Sequence, residues 1–210
     1  MKKFSLLICI SLCALFAVPA NASYIYSFEA ITANSIWRND PGLIITMELF
    51  DVGSNQVEFK FQNSSTIAGT VAEIYFEQGA FQSIASINWG SQREVNFTSP
   101  ANPSILPSSN TVAPSFDAAF STGAKNPAPK NGLSSGEWLS ITLNLAPGRT
   151  FYDVISYLNS QTQGRVGLHV TGLPTATSAT TSDSFINVPE PATLAVLTLG
   201  SAALITRKKK

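Results

Sequence analysis

The sequence predicts an all-β protein, an antiparallel two-sheet β-sandwich of the jelly-roll type with one short helix. Apolar and polar residues alternate in many short segments, which is typical of strands with one buried face. Gly, Ser, Asn and Pro separate these segments, which favours turns between strands. Both ends of the chain carry apolar runs beside cations. We therefore expect an N-terminal signal helix and a C-terminal transmembrane helix to flank the sandwich.

Residues 1–22 have the pattern of a secretory signal peptide. Two lysines follow Met1, residues 4–18 are nearly all apolar, and Ala20 and Ala22 form a small-x-small cleavage pattern. An uncleaved anchor helix is the alternative, but the apolar run is shorter than the roughly 20 residues that span a membrane. We expect cleavage after Ala22, which removes Cys9 and Cys13, the only cysteines.

The mature chain is predicted to contain one domain, a β-sandwich ectodomain over residues 23–187, followed by a sorting segment over residues 188–210. Without cysteines, its stability must come from its hydrophobic core. The segment from Ser23 to Pro189 holds seven Lys or Arg and twelve Asp or Glu residues. This acidic balance does not favour a nucleic-acid partner.

Period-2 alternation predicts the individual strands. The segments 43–49 and 57–61 flank a Gly-Ser-Asn turn at residues 53–55, which predicts an antiparallel hairpin. Further strands are predicted at 72–76, 139–145 and 166–170, with shorter ones at 24–31, 83–89, 95–98 and 184–188.

Two segments depart from this alternation. Thr150 is a predicted helix N-cap with Asp153 as its N3 partner. Residues Phe151, Val154, Ile155 and Leu158 then form one apolar helix face. The segment 96–130 is rich in Pro, Ser and Asn, which predicts a long loop that is functional or mobile. Within it, residues 116–120 are the candidate for one edge strand.

No combination of residues in the body matches a catalytic or cofactor-binding motif. His169 is the only histidine, so a zinc site or an acyl-transfer triad has too few partners, and we expect a solvated or hydrogen-bonded strand residue. Glu73 and Glu77 could share a face with Tyr75, and a neighbouring strand could add Glu58. We expect a solvated outer face there, with paired carboxylates of a hydrolase as the alternative.

Two further groups could bind ligands. Asp40, Asp51 and Asn55 lie in predicted turns where calcium sometimes binds, but no calcium-loop motif surrounds them, so no metal site is predicted. The tryptophans and tyrosines could form a platform on which sugars stack, although such residues more often pack in the core. The tryptophans are Trp37, Trp89 and Trp138.

The C-terminal segment has three parts. Pro189, Glu190 and Pro191 interrupt regular structure, and residues 192–206 follow without a charge. As a helix these fifteen residues would be about 22 Å long, less than the ~30 Å of the hydrocarbon core, and the alternative is a buried core helix. Four cations end the chain: Arg207, Lys208, Lys209 and Lys210.

This three-part order, together with the signal peptide, resembles the PEP-CTERM sorting signal of Gram-negative bacteria, with Pro189, Glu190 and Pro191 as the motif. Three stretches between Asn131 and Gly172 resemble the ectodomains of that group more loosely. The resemblance implies export by a secretion translocon and signal peptidase, and a temporary hold in the inner membrane. It also implies cleavage by an exosortase and delivery to the cell envelope, the outer surface or the extracellular matrix. Such systems accompany exopolysaccharide and biofilm formation.

These observations predict a non-enzymatic surface or matrix protein with a structural or adhesive role that involves exopolysaccharide. A carbohydrate-binding module is the first alternative and requires an exposed row of aromatic side chains. A glycan hydrolase is the second and requires two carboxylates at glycosidase distance in a cleft.

Overall fold

The structure, a computed structural model, describes residues 24–90, 94–177 and 179–189. The strands are β1 Tyr24–Ala30, β2 Ile45–Gly53, β3 Gln56–Asn63, β4 Thr70–Glu77, β5 Phe81–Asn88, β6 Phe97–Thr98, β7 Ala118–Ala124, β8 Trp138–Leu145, β9 Val166–Pro174 and β10 Thr180–Pro189. The helices are α1 Ala128–Asn131 and α2 Phe151–Ser160, and a 3-10 turn spans Ser109–Thr111.

The predicted antiparallel β fold is confirmed, and hydrogen bonds link these strands into a single sheet. Its order is β5-β8-β3-β2-β1-β10-β9-β4-β7-β6. Only residues 78–80 join β4 to β5, although these strands occupy the eighth and first positions of the sheet. The sheet must therefore curl until its two halves face each other. A two-sheet sandwich was predicted, whereas the hydrogen bonds connect both halves into one sheet.

Phenylalanine side chains hold the two halves together. The ring of Phe76 on β4 lies 5.3 Å from that of Phe59 and 6.3 Å from that of Phe61, both on β3, in edge-to-face arrangements. Phe81 on β5 lies 5.5 Å from Phe59. The predicted hairpin of β2 and β3 supplies much of this core, because alternate residues of both strands point inward. Leu49 is paired with Phe59 in its register.

The Pro-rich segment between β6 and β7 forms an ordered cover on the outer face of the sheet. Tyr75, Ala101, Leu106 and Phe116 form a second buried apolar cluster there. Because the main core covers the other face of β4, seven of its eight residues are buried. We call residues 99–117 the covering segment, and β7, which follows it, lies near the predicted edge strand.

Helix α2 confirms the predicted cap and apolar face. The Thr150 side chain accepts a hydrogen bond from the Asp153 amide, and the Asp153 carboxylate accepts one from the Thr150 amide. Val154 and Leu158 are fully buried. The ring of Phe151 lies 5.7 Å from that of Tyr24, so the helix closes the end of the core at which β1 begins.

Within the described ranges, no helix has both the length and the apolar character needed to cross a membrane. The predicted signal helix and the predicted C-terminal transmembrane helix belong to residues 1–22 and 192–206. Both segments lie outside the described residues.

Candidate functional site

The predicted sorting motif begins inside the sheet. Strand β10 extends to Pro189, the first motif residue, and Pro189 is the register partner of Tyr26 on β1. The other motif residues, Glu190 and Pro191, lie outside the described residues. The same is true of the predicted basic tail at 207–210 and of the predicted cleavage residues Ala20 and Ala22.

Strand β10 is an interior strand, hydrogen-bonded to β1 on one side and to β9 on the other. Asn187, two residues before the motif, is fully buried. Its Oδ1 accepts from the Val166 amide at 2.7 Å, and its Nδ2 donates to the Leu158 carbonyl at 3.3 Å. One side chain thus ties the end of β10 to β9 and to α2.

The other end of β10 is tied down by Asp183, which is also buried. Its carboxylate accepts hydrogen bonds from the Thr32 hydroxyl at 2.6 Å and from the amides of Asn34 and Ser35 at 2.8 Å each. These donors belong to the loop after β1. The strand that leads to the sorting motif is therefore fixed at both ends.

The described residues that come nearest in sequence to the two predicted processing positions lie at the same end of the sheet. Strand β1 begins at Tyr24, two residues after the predicted signal cleavage at Ala22, and Pro189 pairs with Tyr26. Because β1 and β10 are antiparallel neighbours, the start and the end of the domain leave the sheet side by side. The sequence predicted both strands but not their pairing.

The body contains a His169–Glu73–Tyr75 group on adjacent strands. Nδ1 of His169 lies 2.6 Å from Oε2 of Glu73, and the Tyr75 hydroxyl donates to the Pro103 carbonyl at 3.1 Å. Burial of the phenol and, to a lesser extent, the nearby Glu73 carboxylate raise the pKa of Tyr75 above its ordinary value. His169 is thus a hydrogen-bonded strand residue, which agrees with its predicted role.

A second polar group is the buried ion pair of Glu77 and Arg165. Two guanidinium nitrogens of Arg165 contact the Glu77 carboxylate, Nη2 to Oε1 at 2.6 Å and Nε to Oε2 at 2.9 Å. The same guanidinium donates to the carbonyls of Pro114 and Ser115 at 2.9 Å each. It also lies 5.5 Å from the ring centroid of Phe116. Arg165 therefore fastens the covering segment to the sheet.

The prediction of a solvated outer face for Glu73 and Glu77 is wrong. Both carboxylates are buried, because the covering segment and β9 enclose this face of β4. Glu58 is not brought to them, since β4 is paired with β7 and β9 while β3 lies between β2 and β8. Glu58 instead accepts a hydrogen bond from Ser140 at 3.2 Å. Each of these carboxylates has a structural partner.

The three tryptophans lie in different environments. Trp89 packs against the main core. Trp138 lies on β8 with the Lys60 ammonium 5.4 Å from its ring centroid, and Trp37, in the loop before β2, is partly exposed. Strand β8 and this loop are separated by β3, so these positions do not form the continuous row that a sugar platform requires.

The turn residues considered for calcium serve as turn residues. Oδ1 of Asp40 accepts from the Gly42 amide at 2.7 Å, and Oδ1 of Asp51 accepts from the Gly53 amide at 3.0 Å. Nδ2 of Asn55 donates to the Leu145 carbonyl at 2.9 Å. In the part of the chain that the structure describes, no three His, Cys, Asp or Glu side chains cluster in a way that could hold a metal.

One feature that the sequence did not predict is a groove of about 370 Å³ beside the covering segment. Four serines and three large apolar residues contribute to its lining: Ser83, Ser99, Ser104, Ser121, Ile84, Ile105 and Phe120. These residues come from β5, the covering segment and β7. Because serine is common and the three segments are far apart in sequence, no local pattern indicates the groove.

Comparison with known families identifies the C-terminal segment. The model of the PEP-CTERM protein-sorting motif matches residues 187–210, which confirms the predicted resemblance to PEP-CTERM sorting-domain proteins. The chain therefore carries the sorting signal of an exported protein that is targeted to an exosortase. The match begins at Asn187, so its first three residues belong to β10. No curated protein matches the chain.

Proposed function

We propose that this chain is a non-enzymatic protein of the cell surface or extracellular matrix, with a structural or adhesive role linked to exopolysaccharide. A signal peptide starts its export, residues 192–206 hold it briefly in the inner membrane, and an exosortase cuts near Pro189-Glu190-Pro191. The observation that carries the proposal is the sorting motif at the end of an interior strand of the β domain. The part of the chain that reaches the cell surface is then the β domain.

The buried carboxylates of the β domain favour a structural role. The acids that could serve a hydrolase, Glu73 and Glu77, are buried against His169 and Arg165. The Glu77 pair also fastens the covering segment. Their arrangement stabilises an exported domain that is predicted to have no disulfides.

Mass spectrometry of the protein from its own host tests the proposed processing. We expect the surface form to begin at Ser23 and to lack the basic tail, and deletion of the exosortase gene to retain the full C-terminus in the membrane fraction. An intact peptide from Pro189 to Lys210 in the surface form would contradict exosortase cleavage.

The groove beside the covering segment favours a second candidate, a glycan-binding module. Its volume lies in the range of small-ligand sites, and hydroxyl groups beside an aromatic ring suit a sugar.

Affinity electrophoresis in the host's exopolysaccharide tests this candidate. Ser121→Ala would perturb the fold, since Ser121 is buried, so the variant is Ile105→Asp, with Ile36→Asp as an equally exposed control outside the groove. If the polysaccharide retards the wild type and both variants to the same extent, the groove is not the glycan-binding site.

A further inference from the structure

The distance between the sheet and the sorting segment limits where the precursor can lie. Pro189 is fixed to Tyr26 by strand pairing, and residue 192 begins the uncharged apolar run. Three residues of fully extended chain reach at most about 10–11 Å. The headgroup layer on each side of a bilayer is roughly 5–8 Å thick. If residues 192–206 enter the membrane, this end of the sheet must touch or nearly touch the headgroups.

We call this end of the sheet the terminal end: it comprises the start of β1, the end of β10, the turn at residues 53–55 and the start of α2. The opposite end contains the loop of residues 31–44. Strand β1 has seven residues, which separates the two ends by about 20 Å.

The terminal end carries exposed apolar side chains. Among the described residues, eight large apolar side chains are exposed: Ile25, Phe50, Val52 and Tyr152 lie at this end, whereas Ile36, Trp37 and Ile44 lie on the loop at the opposite end. Glu48 is the register partner of Ile25, and Phe50 lies two residues further along β2. Ile25 and Phe50 are therefore diagonal neighbours on the outer face, roughly 7–8 Å apart.

The remaining two side chains extend this surface around the terminal end. Val52 follows Phe50 at the end of β2. The ring of Tyr152 lies 6.1 Å from that of Phe151, which contacts Tyr24. Tyr152 is 73% exposed. Aromatic rings with a polar tip are typical of the membrane interface.

We propose that the terminal end is a lipid-facing surface, which in the unprocessed precursor lies on the membrane and inserts Ile25, Phe50, Val52 and Tyr152 among the headgroups. This inference rests on the proposed membrane hold by residues 192–206. The occupant is lipid rather than a second protein, because the short tether brings the membrane to this surface whether or not an exosortase is bound. Cleavage near the motif releases the surface from the bilayer.

Single-cysteine labelling of the precursor after removal of its signal peptide, residues 23–210, tests the proposal. The mature chain has no native cysteine, so Val52→Cys or Tyr152→Cys carries the only label. The matched controls are Ile36→Cys at the opposite end and Ile105→Cys on the covering segment, each 64% exposed. The precursor is purified from a Gram-negative host that lacks an exosortase, labelled with the fluorophore NBD, and reconstituted in phosphatidylcholine–phosphatidylglycerol vesicles.

We expect blue-shifted NBD emission at positions 52 and 152 that is lost in brominated lipid, and unshifted, unquenched emission at positions 36 and 105. Equal quenching at both ends, or none at the terminal end, would overturn the lipid-facing surface while the chain remains bound to the vesicles. Loss of vesicle binding altogether would instead overturn the membrane hold and with it this inference.

Discussion

Glu77 is the residue on which the attachment of the covering segment depends. Its carboxylate is buried against Arg165, whose guanidinium also holds Pro114 and Ser115. Removing one charge of a buried pair leaves the other without compensation, which costs about 3–5 kcal/mol. We expect Glu77→Gln to lower the free energy of unfolding by this amount and to raise hydrogen exchange of the amides of residues 115–117. Urea denaturation and exchange mass spectrometry measure both effects.

The control for Glu77 is Arg149→Ala, which breaks a second ion pair with Asp153 at 3.8 Å. Arg149 is largely exposed, and exposed pairs contribute little to stability. A similar loss of stability in both variants would show that the Glu77 pair has no special role.

Tyr75 makes the free energy of unfolding depend on pH in the alkaline range. The fold raises the pKa of Tyr75 above 10.0, its ordinary value, so the folded chain holds a proton that the unfolded chain releases. The contribution of this group is complete below about pH 10 and is lost as the pH rises towards the folded pKa. We expect the free energy of unfolding to fall more steeply above pH 10 in the wild type than in Tyr75→Phe. Equal slopes in a urea series would contradict this.

At the scale of the elements, alternation predicted the strands that have one buried face. Strands β2, β3 and β8 follow it closely, and the capping residues of α2 were visible in the sequence because they act locally. Strand β4 was misjudged, because its polar positions are covered by a Pro-rich segment that lies far away in sequence. Of the candidate site, the sequence predicted only the sorting motif. That Pro189 is paired in the sheet depends on a contact with Tyr26, which no local pattern reveals.

The end of β10 depends on the Asn187 side chain. Asn187→Ala would leave the Val166 amide without its partner in a buried site, while the Leu158 carbonyl would keep its hydrogen bond from Gln161. An orphaned buried amide costs about 1–3 kcal/mol. We therefore expect a marked loss of thermal stability and faster hydrogen exchange of the amides of residues 185–188. Thr180→Ala, an exposed position on the same strand, is the control, and equal melting temperatures for the two variants would contradict the prediction.

At the scale of the whole molecule, the position of the exosortase cut decides whether the product keeps its sheet. The register pairs residues 185–189 of β10 with residues 26–30 of β1, whereas β1 pairs with β2 at only three positions. A chain that ends before Phe185 would lose this pairing and the buried side chains of Phe185 and Asn187. Without disulfides, little else would hold β1 in place.

This argument gives a prediction about two shortened chains. A chain of residues 23–189 should melt cooperatively and resist proteolysis, because every strand of the sheet is complete. A chain of residues 23–184 should melt at a much lower temperature or fail to fold. Circular dichroism and limited trypsin digestion compare them, and equal melting temperatures would show that the end of β10 is dispensable. Since cleavage before Phe185 would remove all pairing between β10 and β1, the mature surface form should retain the end of β10.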